Sequence, residues 1–401
     1  MSRTSASLEQ TAEAKAAAME VLLNNVRGPC QRLPRTAAWG YPEPYTRDMM
    51  ISALGFLSSG DSVLRDALRR VLLSLARTQT PHGHIASLAH DPKDLGASDT
   101  TPLFLFGLGL YRKVTGDKRF LRNAAMKALR WMEYQGADDM VMVDQQPTTD
   151  WRDEQWVLGY GLYVNTIVYA CLRLHGQHRK ADLLRCLIDH PDLRGSKRQR
   201  YVHEGFVIPG KPYYALWSFK VYHSRRFDLL GNSLAILTGI APQARAQRII
   251  NWTETQCRRL RRRGELAVDL PPCLIPYIQP EDQDWRPRYQ RYNRPGNYHN
   301  GGVWPFVCGF YIAALVAAGR SRLAAQKLAI LTELVRPAKK AKVSYGFNEW
   351  IKAQTGRPRG HDWQTWSAAM YLYAAECVEQ GRTPFFDEIR RLGRSSQKPD
   401  E

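Results

Sequence analysis

The chain has 401 residues, with 57 Lys+Arg against 38 Asp+Glu, a formal charge of +19, and 44% apolar and 10% aromatic residues. Intrinsic disorder requires low hydrophobicity together with high charge, so 11 Trp, 19 Tyr and 12 Phe mark a globular chain with material for a large core. The opening MSRTSASLEQTAEAKAAAMEVLL lacks the apolar stretch behind a basic start that makes a secretory leader, and the longest nearly uncharged apolar run, Pro305 to Gly319, is short of the roughly 18 to 20 residues that span a bilayer.

These absences predict a cytoplasmic protein without a membrane partner. Cys30, Cys171, Cys186, Cys257, Cys273, Cys308 and Cys377 are scattered with no CxxC pair, and an odd count in a chain this long suits buried free thiols better than a disulfide framework. The basic excess is densest at Arg258, Arg259, Arg261, Arg262 and Arg263, just before Gly264. Cations at a helix C-terminus favour its dipole, and no aromatic residue interleaves them as single-strand binding would want. No nucleic-acid partner is expected.

In chain order, residues 1–38 predict an N-terminal surface helix and its lead-in. From there an apolar segment ending in Gly, followed at once by a charged amphipathic one, recurs at Gly60, Gly116, Gly176, Gly239, Gly319 and Gly381, at steps of about 60 residues with one stretched to about 80. The segments before the glycines, such as MMISALGFLSS and VCGFYIAALVAA, are apolar on most of their circumference and should be buried. Those after them, such as DSVLRDALRRVLLSLA and RSRLAAQKLAILTEL, place Leu, Ala and Val at i, i+3, i+4 and i+7 between charges, as half-exposed helices do.

Six buried helices alternating with six half-exposed ones predict an all-α fold, a closed (α/α)6 toroid or barrel. Residues 1–401 are read as one such domain, with 394–401 a disordered tail. The stretches Tyr201 to Tyr222 and Pro271 to Pro295 read as long connections or short hairpins.

All loops feeding the inner helices must emerge at one end of such a barrel. They carry the unusual polar residues: Trp39, Tyr41, Arg47 and Asp48 ahead of the first inner helix, Asp99 ahead of the second, Trp151 and Gln155 ahead of the third. Asp228 precedes the fourth, His299, Asn300 and Trp304 the fifth, Gln364 and Trp366 the sixth. Carboxylates mixed with amides and aromatic faces suit a sugar, whose hydroxyls want acceptors and whose C–H face stacks on indole. Taken singly, an Asp before a helix is often an N-cap, and that reading applies to Asp48 and Asp99.

Two carboxylates stand out. Asp153 lies between Trp151 and Trp156 beside Asp150 and Glu154, where desolvation and like charge can raise a carboxyl pKa. Glu349, between Asn348 and Trp350, is the only acid from Val343 to Gly360. Glycoside cleavage needs such a pair, about 6.5 to 9.5 Å apart for inversion and about 5 to 5.5 Å for retention. HExxH, GxSxG, Walker A and GxGxxG motifs are absent, Asp138-Asp139 lacks the third Asp of a metal-binding box, and His82-Gly83-His84 lacks an obvious third ligand. Neither a metal nor a cofactor is expected.

The run PEDQDWRPRYQRYNRPGNYHNGGVWPF (Pro280 to Phe306), then AALVAAGR, FNEW, TGRPRG and WQTWSAAMYL, resembles the C-terminal half of the alkaline/neutral invertases. RFDLLGNSLAIL and DTTPLFLFGL resemble the same group and its relatives on the same barrel: trehalases, processing α-glucosidases and glycogen-debranching enzymes. The resemblance implies an inverting, exo-acting glycoside hydrolase with Asp153, in Trp151-Arg152-Asp153, as general acid and Glu349 as general base. It implies further that Asp48, His299, Asn300 and Gln364 line the pocket for the cleaved sugar. Where invertases carry a basic Asp-Arg-Arg-Met-Gly stretch, this chain reads Asp153-Glu154-Gln155-Trp156. Sucrose is the substrate expected first, with a small α-glucoside or α-1,6-linked oligosaccharide as the alternative.

Two other classes stand beside this one: another enzyme on the same toroid, such as an epimerase or lyase, and a non-catalytic basic binding protein whose affinity would fall steeply with salt. A homo-oligomer is compatible with every reading.

Overall fold

The computed structural model describes residues 3–136, 141–189, 205–219 and 222–395. Its helices, in chain order, are α1 (Arg3–Asn25), α2 (Thr46–Ser58), α3 (Ser62–Thr78), α4 (Thr100–Thr115), α5 (Arg122–Tyr134), α6 (Leu162–Leu174) and α7 (His178–Asp189). They continue with α8 (Leu229–Thr238), α9 (Gln243–Arg262), α10 (Pro305–Ala317), α11 (Ser321–Leu334), α12 (Thr365–Gln380) and α13 (Phe386–Ser395). The Asp138-Asp139 pair, Tyr201 and residues 396–401 of the expected tail lie outside the described residues; 394 and 395 end α13.

The inner ring is α2, α4, α6, α8, α10 and α12, each packed on the next and α12 returning to α2. These helices are buried nearly all round; in α10 every residue from Pro305 to Val316 is buried. Small residues let their backbones meet. A Cβ on Gly55 of α2 would stand 2.2 Å from the carbonyl oxygen of Ala369 in α12, so only glycine permits that crossing. The outer helices show one wet face: α3 buries Leu64, Ala67, Leu68, Val71, Leu72 and Leu75, at helical spacing. All six hinge glycines adopt left-handed φ, from +63° at Gly381 to +79° at Gly239, where a side chain would be strained.

One element differs from expectation. The segment after Gly381 does not supply the sixth outer helix. That place is taken by α1, which lies on α12 and touches α11 and α3, while α13 packs across α6, α7 and α8. Packing decides it: α1, of 23 residues, lies along α12 at the seam that closes the ring, and the 10 residues of α13 are held by α6, α7 and α8 instead. Instead α13 covers the end opposite the loops that feed the inner helices, with Phe386 against Phe106 at 6.0 Å and the Arg390 guanidinium donating to Leu237 O at 2.6 Å.

The strands are short pins on the connections that lead into inner helices. β1 (Tyr160–Gly161), β2 (Trp217–Phe219) and β3 (Tyr222–His223) form one antiparallel sheet; β4 (Phe227–Asp228) pairs with β5 (Leu274–Ile275), and β6 (Trp350–Ile351) with β7 (Pro358–Arg359). Because β1 runs straight into α6 and β4 into α8, the pins fix loop geometry at the mouth. The basic run Arg258 to Arg263 ends α9 before Gly264, as a solvated helix terminus. All seven cysteines are free; five are buried, but Cys30 is half-buried and Cys186 exposed, so the thiols are not uniformly core.

Candidate active site

The mouth is braced from behind by buried ion pairs. Asp99 precedes α4 but does not cap it; its carboxylate accepts two hydrogen bonds from Arg47 at 2.6 and 3.0 Å and one from the Tyr163 hydroxyl at 3.2 Å. This ties α2, α4 and α6 together. Asp228 caps α8, accepting from Leu230 N at 3.2 Å and Gly231 N at 3.0 Å, and pairs with Arg152 at 2.6 Å. Arg152 also meets Asp150 at 3.3 Å and lies over the Trp151 ring.

Both Asp99 and Asp228 are wholly buried with their oxygens occupied, so they support the wall and do not face a sugar. Asn300 is spent in the same way: its side chain donates to Ile278 O and Asn293 O at 2.8 Å and accepts from Ile278 N at 2.7 Å. An amide held on three sides by main chain is a latch. All three side chains are thus engaged with the protein itself.

Asp153 and Glu349 sit on the connections into α6 and α12, the third and sixth helices of a ring of six, and therefore on opposite sides of the mouth. Asp153 is 58% exposed to the solvent of the mouth, yet the surrounding walls strip enough water from it to raise its pKa to about 6; Arg47 opposes the rise and Glu154, Asp150 and Asp99 add to it. Glu349 is half-buried, and loss of hydration raises it to about 7, against the His361 N–H that its Oε2 accepts at 3.2 Å, with the charge of Asp153 adding to the rise. Gly360, in the left-handed region, is pressed against this carboxylate: a Cβ would lie 2.2 Å from Oε2. The two acids lie near a common set of groups, since the charges of both bear on Tyr41, Tyr298 and Asp48.

Asp48 does not cap α2 either; it lies in the first turn, buried, and its pKa is raised to about 8 by desolvation, with Arg47 opposing and Glu349 and Asp153 adding. A carboxyl of this kind is protonated at neutral pH and donates a hydrogen bond. His299 is 1% exposed, its Nε2 3.9 Å from Asp153 Oδ1. Burial, Arg152 and Arg47 hold its pKa well below the usual range, so the ring is neutral.

An aromatic floor supports these groups. Trp151 meets His299, Trp304 and Phe306 edge-on at 5.2 to 5.4 Å, His299 stacks on Trp304, and Phe306 stacks on Trp366 at 4.1 Å. Buried polar atoms normally have partners. In this floor His299 Nδ1, Trp151 Nε1, Trp366 Nε1 and Gln364 Oε1 have none, a concentration suited to a polyhydroxylated ligand.

At the rim, Trp39 is 47% exposed, its carbonyl paired with His361 Nδ1 at 3.0 Å, and Tyr41 packs on His361 and Tyr45. Gln155 turns away toward a side hollow shared with Trp156.

Sequence reasoning missed Arg152, Tyr163, Tyr298 and His361. Arg152 was detectable as the one cation between Asp150 and Asp153, and Tyr298 sits inside the motif already singled out. Tyr163 reads as core from any pattern. Among the described residues no group of three His, Cys, Asp or Glu could hold a metal ion. His84 Nε2 meets Leu95 O at 2.6 Å and its Nδ1 the Thr101 hydroxyl at 3.3 Å, as a polar loop residue does.

The barrel superposes on solved glycoside hydrolases. A wild-type glycosidase aligns with a TM-score of 0.63 at 14% identity over 98% of this chain and 99% of that one. The GH63 mannosylglycerate hydrolase from Thermus thermophilus, in complex with Tris and D-glycerate, aligns with a TM-score of 0.60 at 16% identity over 90% and 99%. At such identities the likeness is one of fold. Neutral/alkaline invertase 1, mitochondrial, of Oryza sativa subsp. japonica is 30% identical over 175 residues, 41% of this chain and 25% of that protein. Cytosolic invertase 1 of the same species is 29% identical over 163 residues, 38% and 26%.

In fold the chain is similar to these (α/α)-barrel glycoside hydrolases. In sequence, residues 221–381, less than half of the chain, match the family model of alkaline and neutral invertases. The matched stretch spans about a quarter of the length of these curated relatives.

Proposed function

We propose that this chain is an inverting, exo-acting glycoside hydrolase that cleaves sucrose. Asp153 gives its proton to the glycosidic oxygen as the bond from the anomeric carbon breaks, and Glu349 takes a proton from the water that attacks that carbon from the opposite face. Atoms balance with one water consumed and two sugars released, and the proton gained by Glu349 returns to Asp153 through solvent. The observation that carries this reading is the placement of two carboxyls of raised pKa on opposite sides of one mouth, their charges converging on Tyr41, Tyr298 and Asp48.

Neutral groups complete the site. Protonated Asp48 and the uncharged His299 ring serve hydroxyls without adding charge beside the acids, and Trp39, Tyr41, Gln364 and the Trp151, Trp304 and Trp366 floor shape the slot. Arg47 holds Asp99 and lies close enough to Asp153 for its charge to favour the ionised carboxylate. Free thiols fit an enzyme of a reducing compartment such as the cytoplasm.

The test is substitution. Asp153→Asn and Glu349→Gln each remove hydrolysis by a factor of at least about 10² while circular dichroism and Tm stay at wild-type values; near wild-type turnover in either variant removes that residue from its role. A second reading is favoured by one feature, the Glu154-Gln155-Trp156 sequence where invertases carry basic residues: the substrate is then another small α-glucoside, 1,6-linked oligosaccharides included. Sucrose, trehalose, maltose and isomaltose with NMR detection of the first-formed anomer separate the two, and release of β-glucose from an α-glucoside establishes inversion.

A further inference from the structure

Beside the acid loop, away from the slot just described, two adjoining hollows of about 290 and 560 Å3 run outward from Gln155 and Trp156. They share Trp217, Tyr222, Gln283 and Asp284. Each is of the order of a small-ligand site, roughly 300–1,000 Å3.

The walls are fixed to the barrel. β2 and β3 carry Trp217 and Tyr222 with ring centroids 5.6 Å apart, and β2 is paired to β1, which enters α6. On the other side the 280–295 connection is bound to the acid loop: Trp156 N donates to the Tyr289 hydroxyl at 2.8 Å, Arg288 pairs with Glu154 at 2.6 Å, and Asn293 donates to Glu154 O at 2.7 Å.

The groove mixes aromatic and polar surface as sugar sites do. Tyr222 is 58% exposed, an aromatic surface a pyranose or furanose can cover, Trp156 is 39% exposed with the Arg286 guanidinium over its ring at 5.0 Å, and Gln283 is placed to meet hydroxyls. Of the three arginines that line it, Arg226 is paired with Asp282 at 2.9 Å and Asp284 at 2.6 Å, while Arg225 and Arg286 supply further donors for hydroxyl oxygens.

Position gives it a role. The leaving group must reach the proton of Asp153, and Trp156 lies three residues further along the same loop. The groove therefore borders the loop that carries the acid.

From this we infer that the groove is a binding site on the leaving-group side for neutral oligosaccharides of three or more sugar units, so that longer substrates are cleaved in preference to disaccharides. This rests on the hydrolase reading above. Binding energy gained by a remote part of the substrate appears in kcat/KM.

The test uses the full chain and two series of probes: sucrose, 1-kestose and nystose, and maltose, maltotriose and maltotetraose. In the series that is hydrolysed, kcat/KM rises with length by about tenfold from two to four units. Tyr222→Ala and Gln283→Ala, at exposed positions, abolish that rise and leave the disaccharide within about twofold.

Tryptophan fluorescence of the Asp153→Asn protein reports binding without turnover, with a tetrasaccharide binding at least about tenfold tighter than its disaccharide and Tyr222→Ala removing the difference. Hydrolysis of none of the six sugars overturns the hydrolase reading, and the groove is then judged by fluorescence alone. Equal kcat/KM across the hydrolysed series, equal binding across both series, or loss of activity on all lengths alike in Tyr222→Ala overturns the groove.

Discussion

Asp48 shows how a single residue can be set by its surroundings. Its pKa of about 8 in the fold, against 3.8 for the free group, means the native state holds a proton the unfolded chain releases. Stability from this group is complete below about pH 4 and is lost as pH rises through about 8. Asp48→Asn keeps the shape and removes the titration, so its Tm relative to wild type rises between pH 5 and pH 8, by roughly a few degrees; parallel Tm curves for the two proteins place the carboxyl in water. On the proposed reading the same group holds substrate, and Asp48→Ala raises KM for the cleaved sugar.

The proposed pair has its own pH signature: with Asp153 at about 6 and Glu349 at about 7, the form carrying one proton between them peaks in that interval, and most of that proton rests on Glu349, so the productive form, protonated at Asp153 and ionised at Glu349, is the minor of the two arrangements. The profile of kcat/KM against pH is a narrow bell with its maximum between about 6 and 7, falling below as the pair takes up a second proton and above as it loses its last. A plateau from pH 5 to 9 contradicts the assignment.

Among elements, the inner helices depend on glycine for contact rather than for flexibility. Gly55 brings α2 onto the backbone of Ala369 in α12 at the seam that closes the ring. Alanine has the better helix propensity, by about 1 kcal/mol. Overpacking against unyielding backbone costs about 1–3 kcal/mol or more, so Gly55→Ala lowers stability in urea melts despite that propensity; a stabilised variant means the seam is looser than described. The hairpin pattern and its glycine hinges were readable because a 3.6-residue apolar period and a left-handed turn leave local marks. The exchange of α1 for α13 as the sixth outer helix was not, because it depends on which terminus reaches the seam. The cap that a lone Asp before a helix would suggest is absent at both Asp48 and Asp99: Asp48 lies inside the first turn of α2, and Asp99 is bound in two places by Arg47.

At the scale of the whole molecule, the charge of +19 is decoupled from the site. The cations beside Asp153, Arg47 and Arg152, are consumed by Asp99, Asp150 and Asp228, Lys339, whose charge bears on Glu349, donates to Gly360 O at 2.9 Å, and the densest arginine run ends an outer helix. Turnover of a neutral sugar is therefore nearly indifferent to salt. Between 50 and 500 mM NaCl, kcat/KM changes by less than about twofold, whereas binding through phosphate contacts falls by orders of magnitude over such a range. Chelators leave activity intact, since the two carboxyls need no metal for the proposed proton transfers; complete loss in chelator contradicts that mechanism.

Sequence alone determined the periodic features: eleven of the twelve alternating segments, their hinges, the end of the barrel that gathers the polar loops, and the two acids on the third and sixth of those loops. Periodicity and spacing are local properties, and each repeat states them again. Only the tertiary structure decided what each polar residue does with its atoms. Asp99, Asp228 and Asn300 share loops and residue types with Asp48 and His299, yet the first three spend their hydrogen bonds on the wall while the last two stand beside the acids. That division follows from which buried cation or main-chain group lies within about 3 Å, a distance between parts of the chain far apart in sequence that no spacing encodes.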